Sequence, residues 1–497
     1  MKALNHIGRQ FSLELKRSFL DAEKKQQTEQ DSAKIHVSGV GASITQGYEK
    51  LRNASELSDE SLLLRKAIGR YFKRLILTNE PTSKVGRELI DELTMAGYIQ
   101  NDSIVTSVAT KITKIVNDFL PARQALSKTI SGDQLNAWTI NVMAVQIESL
   151  LNDHSREVAL VNLAYNYFLA SIDTERLFGR KPVSYEAMLL AAIQKTLLKS
   201  NDASVRYDLL TRYQIAPTDL KAYREFNHHI DKMFENKDSD VLSRFVDRHE
   251  AEFRVLSRLI DENHLPDSLE NFEIFHSNFQ TAIGRTYKTI NANINRGVWR
   301  SVLFLIITKF ILGVAAEVPY DYLVSGAIIW LPLIVNLIFP PVYMILLRFT
   351  LIMPGPANSR NLDMQIDRVL YTDEFQPIFG QRKASKGYGV GFQVLYTVVV
   401  LGVALGVGYL LWTIGFAWLH LLVFYIFVSA ASFLAFRLSR TISEVETIEA
   451  RQSFVTTLRD FLYMPFVAIG QWVSEKYAKI NVISRALDIA IELPLKA

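Results

Sequence analysis

Apolar side chains recur along this chain with two different rhythms. Through residues 298–349 and 392–436 they run almost unbroken, whereas before residue 296 they return every three or four positions. Each unbroken run is too long for one buried core helix and divides into two stretches of about twenty residues, the length that crosses a hydrocarbon layer of about 30 Å. The pattern therefore predicts four transmembrane helices in two hairpins, within residues 297–350 and 392–437.

The spacing in the first part is that of helices with one buried stripe. Residues 61–79 place Leu64, Ile68, Phe72 and Leu75 on one face, and residues 82–96 end at Gly97, a usual C-terminal stop. Further helices are predicted at 102–119, 134–152, 156–172 and 184–200, with breaks expected at Pro121, Gly132, Gly179 with Pro182, Pro217 and Pro266. Nothing interrupts residues 269–295, so a helix is expected to run on into the first span and tie the domain to the membrane. One stretch, residues 35–43, alternates briefly and holds Gly39 and Gly41. Lacking a βαβ context, a third glycine at the right distance and a Walker lysine, it is expected to be a connector and not a phosphate loop.

The expected fold is thus all-α, with a large N-terminal helical cytoplasmic domain (1–296), a transmembrane hairpin (297–350), a cytoplasmic loop (351–391), a second hairpin (392–437) and a helical tail (438–497). In the tail, Phe466, Ile469, Trp472, Val473 and Tyr477 form an apolar stripe opposite Glu475, Lys476 and Lys479, as in a helix lying in the membrane interface.

Charge adds orientation. Arg285, Lys288, Arg296 and Arg300 precede the first span, taken as about residues 301–316. The turn after it, 317–321, carries only the acids Glu317 and Asp321. The second span, about 322–349, leads into Arg348, Arg360 and Arg368, and the second hairpin ends at Arg437 and Arg440. Cytoplasmic flanks carry the Lys and Arg excess, so both termini are expected in the cytoplasm of a multi-pass plasma (inner) membrane protein. The first residues show no apolar signal segment. Across the whole chain, 55 basic side chains stand against 51 acidic ones, a balance that gives no reason to expect a nucleic-acid partner. With no cysteine there are no disulfides, thiolate metal sites or cysteine nucleophiles.

Candidate chemistry is sparse. HExxH, GxSxG and GxxxxGK[ST] are all missing, so no catalytic residue, cofactor or metal is expected and the chain is not read as an enzyme. His228, His229 and Asp231, with His249 and Glu250 further on, are the nearest approach to a metal cluster. Adjacent histidines face different ways on a helix, so core or surface roles are expected instead. Lys309 is the sharpest single residue, because an ionisable group inside a span is a functional-site hypothesis by default. No acid within the spans is available to pair with it, which leaves Asn336, a neutral amine or snorkelling. In the second span Pro332, Asn336, Pro340 and Pro341 are expected to free carbonyls and bend the helix. Gly402 and Gly406 form a small-xxx-small pair where another helix can pack. Arg382, Lys383 and Lys386 are a candidate contact for anionic lipid.

The stretches Tyr48-Glu49-Lys50-Leu51-Arg52-Asn53-Ala54, Leu62-Leu63-Leu64-Arg65-Lys66-Ala67-Ile68 and Tyr463-Met464-Pro465-Phe466 resemble multi-span membrane proteins of small-genome bacteria. That resemblance implies a bacterial plasma membrane and no particular activity. With more than half the chain outside the spans, the expected role is a membrane-anchored interaction or scaffold protein. Its partners would be the lipid bilayer, a cytoplasmic protein and a second copy of itself. The other expectation is a channel or transporter, with Lys309 and the broken second span lining a path.

Overall fold

The computed structural model describes residues 2–30, 32–38, 60–78, 83–262, 264–373 and 390–447, together with 45–47, 49, 466, 467, 469 and 470. Among these residues there are helices and no strands, apart from one isolated bridge between Lys34 and Val105. The chain separates into two compact units, one built on residues Met1–His276 with the segment that starts at Ile366, the other on Ser277–Gln365 with the C-terminal helices.

In the first unit the predicted helices form close to where the periodicity puts them: Glu60–Thr78, Val85–Met95, Thr106–Leu126, Ser155–Ser171 and Tyr185–Leu197. The stripes of the first three meet in one core around Phe72, Leu89, Ile112 and Val116, joined by Ile147 and Tyr223. Gly97 ends its helix at φ +80°, and the Tyr98 N–H reaches back to the Leu93 carbonyl, the closure expected of a left-handed C-terminal glycine.

Pro121 breaks nothing, contrary to expectation: the Thr106–Leu126 helix runs through it. The ring removes one backbone hydrogen bond and crowds the preceding turn, at about 3 kcal/mol. On either side of it Phe119, Ala122 and Leu126 stay buried on the stripe begun by Ile112 and Val116, and their packing outweighs that cost. Predicted helix 134–152 instead divides at Thr139 into Gly132–Trp138 and Ile140–Leu151. The connector at 35–38 is irregular, as expected, while 39–43 lies outside the described residues.

In the second unit three helical stretches are long and apolar enough to cross a membrane: Phe272–Ser325, Trp330–Thr350 and Trp418–Ser443. A further apolar helix, Val390–Thr413, meets the last of these where the Tyr425 hydroxyl donates to the Ala404 carbonyl. The helix expected to run uninterrupted into the first span does so, from Phe272 to Leu312. Inside the unit, Ile294, Val298, Val302 and Leu305 pack with Met344, Leu347, Phe427 and Ala431. Outward, Leu303, Phe310, Leu323, Ile338 and Phe349 remain exposed, a surface too apolar for water and suited to lipid. Trp299 stands at one end of this band and Trp330, Trp412 and Trp418 at the other, the interfacial placement of indole rings.

Two expectations about these helices are corrected. The first turn lies at residues 326–329 and not at 317–321: a five-residue π segment, Gly313–Glu317, leads into the helix Val318–Ser325, which Gly326 closes at φ +69°. Pro319 does not end this run: it sits in the turn directly after the π segment, and the helix continues through it to Ser325. Nor is the second span broken. Trp330–Thr350 is one helix with Pro340 and Pro341 inside it, and both prolines are buried.

Of the tail beyond residue 447 only Phe466, Val467, Ile469 and Gly470 are described; Phe466 packs against the cluster of Leu411, Phe416, Phe424 and Val428. Trp472, Val473 and Tyr477 lie outside the described residues, as do Arg382, Lys383 and Lys386.

Candidate functional site

Lys309 is almost wholly buried, and it has an acidic partner after all. Its Nζ lies 2.5 Å from Glu317 Oε1 and 5.2 Å from the centre of the Phe427 ring. The expectation that no acid inside the spans could reach it fails because Glu317 belongs to the helical run and not to a turn.

The π segment explains how the two residues meet. In an unbroken α-helix, positions eight apart differ by about 80° around the axis. One wider turn absorbs roughly one extra residue, or about 100°, and brings Lys309 and Glu317 to within about 20° of the same face. Asp321 follows four residues later in ordinary α geometry and so extends the stripe. Three charged side chains are thereby aimed into the helix bundle.

Two further helices complete the cluster. Asn336, from Trp330–Thr350, donates through Nδ2 to Glu317 Oε1 at 3.1 Å and to the His420 carbonyl at 3.1 Å. His420, in the first turn of Trp418–Ser443, accepts the Ala417 N–H at Nδ1 over 3.3 Å. A neutral imidazole held this way carries its proton on Nε2, and that atom lies 3.2 Å from Asp321 Oδ1. The pair is at ion-pair distance but out of line for a hydrogen bond. Asp321 Oδ2 accepts the Ile329 N–H at 3.1 Å, and the rings of Tyr320 and Phe416 stand edge-on to His420.

All five polar residues are at most 2% exposed. Among the described residues Glu317 Oε2, Asp321 Oδ1, Asn336 Oδ1 and His420 Nε2 have no hydrogen-bond partner. Unsatisfied polar atoms away from water cost about 1–3 kcal/mol each. Four of them in one place mark a site that can take up something more. The cluster sets two carboxyl groups against one amine and one imidazole, and its unpartnered oxygens can receive a proton or a monovalent cation.

Lys309 and Asn336 are thus brought together as named from the sequence, through Glu317. Gly402 and Gly406 are not part of a packed contact: among the described residues nothing lies within 4 Å of where a Cβ would be at either. It is Gly408, one face over, that Tyr425 approaches. Glu317, Asp321 and His420 were missed. The acids stood in an assumed turn, and His420 stood at the edge of a long apolar run; a histidine and two acids flanking spans that also hold Lys309 was the signal present.

The histidines named from the sequence in the first unit have ordinary roles. His229 shares a hydrogen bond with Ser184, His228 stacks edge-on against Trp138, and Asp231 is taken by Arg206, Gln134 and the Trp138 indole. Among the described residues no group of three potential ligands could hold a metal ion.

Comparison with family models, curated proteins and solved structures finds no match for this chain. The likeness of residues 48–54, 62–68 and 463–466 to membrane proteins of small-genome bacteria therefore gains no support.

Proposed function

We propose that this chain is a multi-pass membrane protein that conducts ions, with the Lys309–Glu317–Asn336–His420–Asp321 cluster taking up and releasing a proton in each cycle. The observation that carries this reading is two buried carboxyl groups beside one lysine amine and four unpartnered polar atoms, in helices long and apolar enough to lie in lipid. A charged side chain near the centre of a span costs about 3 kcal/mol on insertion scales, and such groups mark ion or proton pathways. Asp321 is the group assigned to carry the proton, because Lys309 already pairs with Glu317 while Asp321 meets only the His420 ring and one backbone N–H.

Counting Val390–Thr413 as a crossing gives four spans. The cationic flanks at Arg296 and Arg300, Arg348 and Arg360, and Arg437 and Arg440 then support cytoplasmic termini. On that topology Lys309 lies about 14 Å beyond Arg300, near mid-membrane, with Glu317 and Asp321 in the outer half.

A second reading, a membrane-anchored scaffold, is favoured by the size of the first unit, which holds Met1–His276 with its own core. Full-length protein in liposomes containing a pH-sensitive dye, under an imposed membrane potential, separates the two. Proton entry above protein-free vesicles, reduced at least tenfold by Asp321→Asn, is expected. Wild-type entry no faster than in empty vesicles would remove the conducting role and leave the scaffold.

A further inference from the structure

Away from the membrane helices, the first unit contains a cavity of about 610 Å³ bordered by Arg65, Glu148, His154, Gln194, Asp208 and Arg212, with Val158, Val161 and Leu190 supplying apolar wall. Arg65 and His154 are already committed. Arg65 reaches Glu148 Oε2 through Nε (3.1 Å) and Nη2 (3.0 Å), and Ser204 Oγ through Nη1 (2.6 Å). His154 bridges Glu148 and Glu157 at 2.9 Å each, which raises its pKa to about 10. Glu148 is fully buried, and burial alone would push its carboxyl upward. The hydrogen bond from His154 and the charge of Arg65 win, and hold it below the usual range. Arg212 lies over the Tyr165 ring at 4.4 Å.

The acceptors, by contrast, are not used up. Gln194 is 4% exposed and gives its Nε2 protons to Asp208, leaving Oε1 without a partner. Ser155 Oγ, also on the cavity wall, is buried and without one. Asp208 receives that single side-chain hydrogen bond from Gln194. Burial pushes its carboxyl up to about 6, so near neutral pH it is mostly an anion held at a cost, which a cation beside it would relieve.

From this division, we propose that the cavity is a binding site for a small organic cation, an ammonium or guanidinium on an aliphatic body. The charged head would be received by Asp208 and Gln194 Oε1, with the aliphatic part against Val158, Val161 and Leu190. An anionic ligand would find Arg65 and His154 already paired with acids and would face Asp208, Glu157 and Asp153. A volume near 610 Å³ falls within the range of small-molecule pockets. This site does not depend on the conducting role proposed for the membrane cluster.

The test is calorimetric titration of the full-length protein in detergent at pH 7.5 with n-butylammonium, using 1-butanol and butyrate as neutral and anionic matches. One saturable site per chain for butylammonium is expected, with at least tenfold weaker binding of the other two. Asp208→Asn should weaken butylammonium at least tenfold. Gln194→Met, which removes the acceptor at similar volume, should weaken it severalfold and serves as the deciding variant if Asp208→Asn does not fold. N-acetyl-lysine amide separates the sources of the cation: binding as tight as butylammonium would assign the pocket to a side chain presented by a peptide, and weaker binding to a free amine. Butanol binding as well as butylammonium, or no loss in either variant, would overturn the proposal.

Discussion

At the scale of single residues, the buried pair Lys309–Glu317 sets the largest expected effects. Removing one member leaves the other charged and unpaired where water does not reach, a loss of about 3–5 kcal/mol for a buried ion pair. Lys309→Met and Glu317→Gln are each expected to lower the thermal midpoint in detergent sharply, and the double variant to recover most of it. A double variant as unstable as the sum of the singles would mean that the two side chains do not act as a pair. His154 gives the corresponding pH signature. Its pKa rises from 6.5 to about 10 on folding, so its contribution is whole below about pH 6.5, falls as the pH climbs toward 10, and vanishes above that. Between pH 6.5 and 10 the wild type should therefore lose stability more steeply than His154→Gln, and equal slopes in the two melting series would contradict the assignment.

At the scale of elements, the π segment Gly313–Glu317 is the device that aligns the site. Deleting Ala315 lets the segment close into α-helix while Glu317 stays about 20° from Lys309, since seven α positions turn through nearly two full circles. Inserting an alanine after Val314 adds about 100° and turns Glu317 away. The deletion is expected to keep the protein folded in detergent, and the insertion to cost about as much as Glu317→Gln. The opposite order in their thermal midpoints would show that the wide turn does not set the register. Arg348 gives the neighbouring helix a second tie, donating to Asn291 and Asn295 at 2.7 Å each.

At the scale of the whole molecule, the proposed topology fixes which side of the membrane each connection reaches. The absence of cysteine makes single-cysteine labelling clean. Ser325→Cys, exposed at the first turn, and Arg360→Cys, exposed beyond the second span, should react with a membrane-impermeant thiol reagent from opposite faces. Only Ser325→Cys should label in intact cells. Labelling of both from the same side would refute an odd number of crossings between them.

How far the chain could be understood from its residues alone follows from the range of the forces involved. Helical periodicity, long apolar runs and the Gly97 stop are local properties, each decided by a few neighbouring side chains, and so the all-helical character and the lipid-facing stretches were legible in the sequence. Lys309 and Asn336 stood out for the same reason, as polar groups in apolar surroundings. The partners of Lys309 were not legible, because the face a residue presents is the sum of every rotation before it. One wide turn moved Glu317 and Asp321 from a supposed loop into the bundle, and the His420 carbonyl reaches Asn336 across 84 residues of chain. Likewise Pro121 stayed helical because the packing of its neighbours outweighed its own local cost. The sequence by itself determined the helical character of the chain and which stretches are apolar enough for lipid. Only the tertiary structure decided which charges meet, because burial away from water makes pairing of distant groups worth more than any local preference of the residues that carry them.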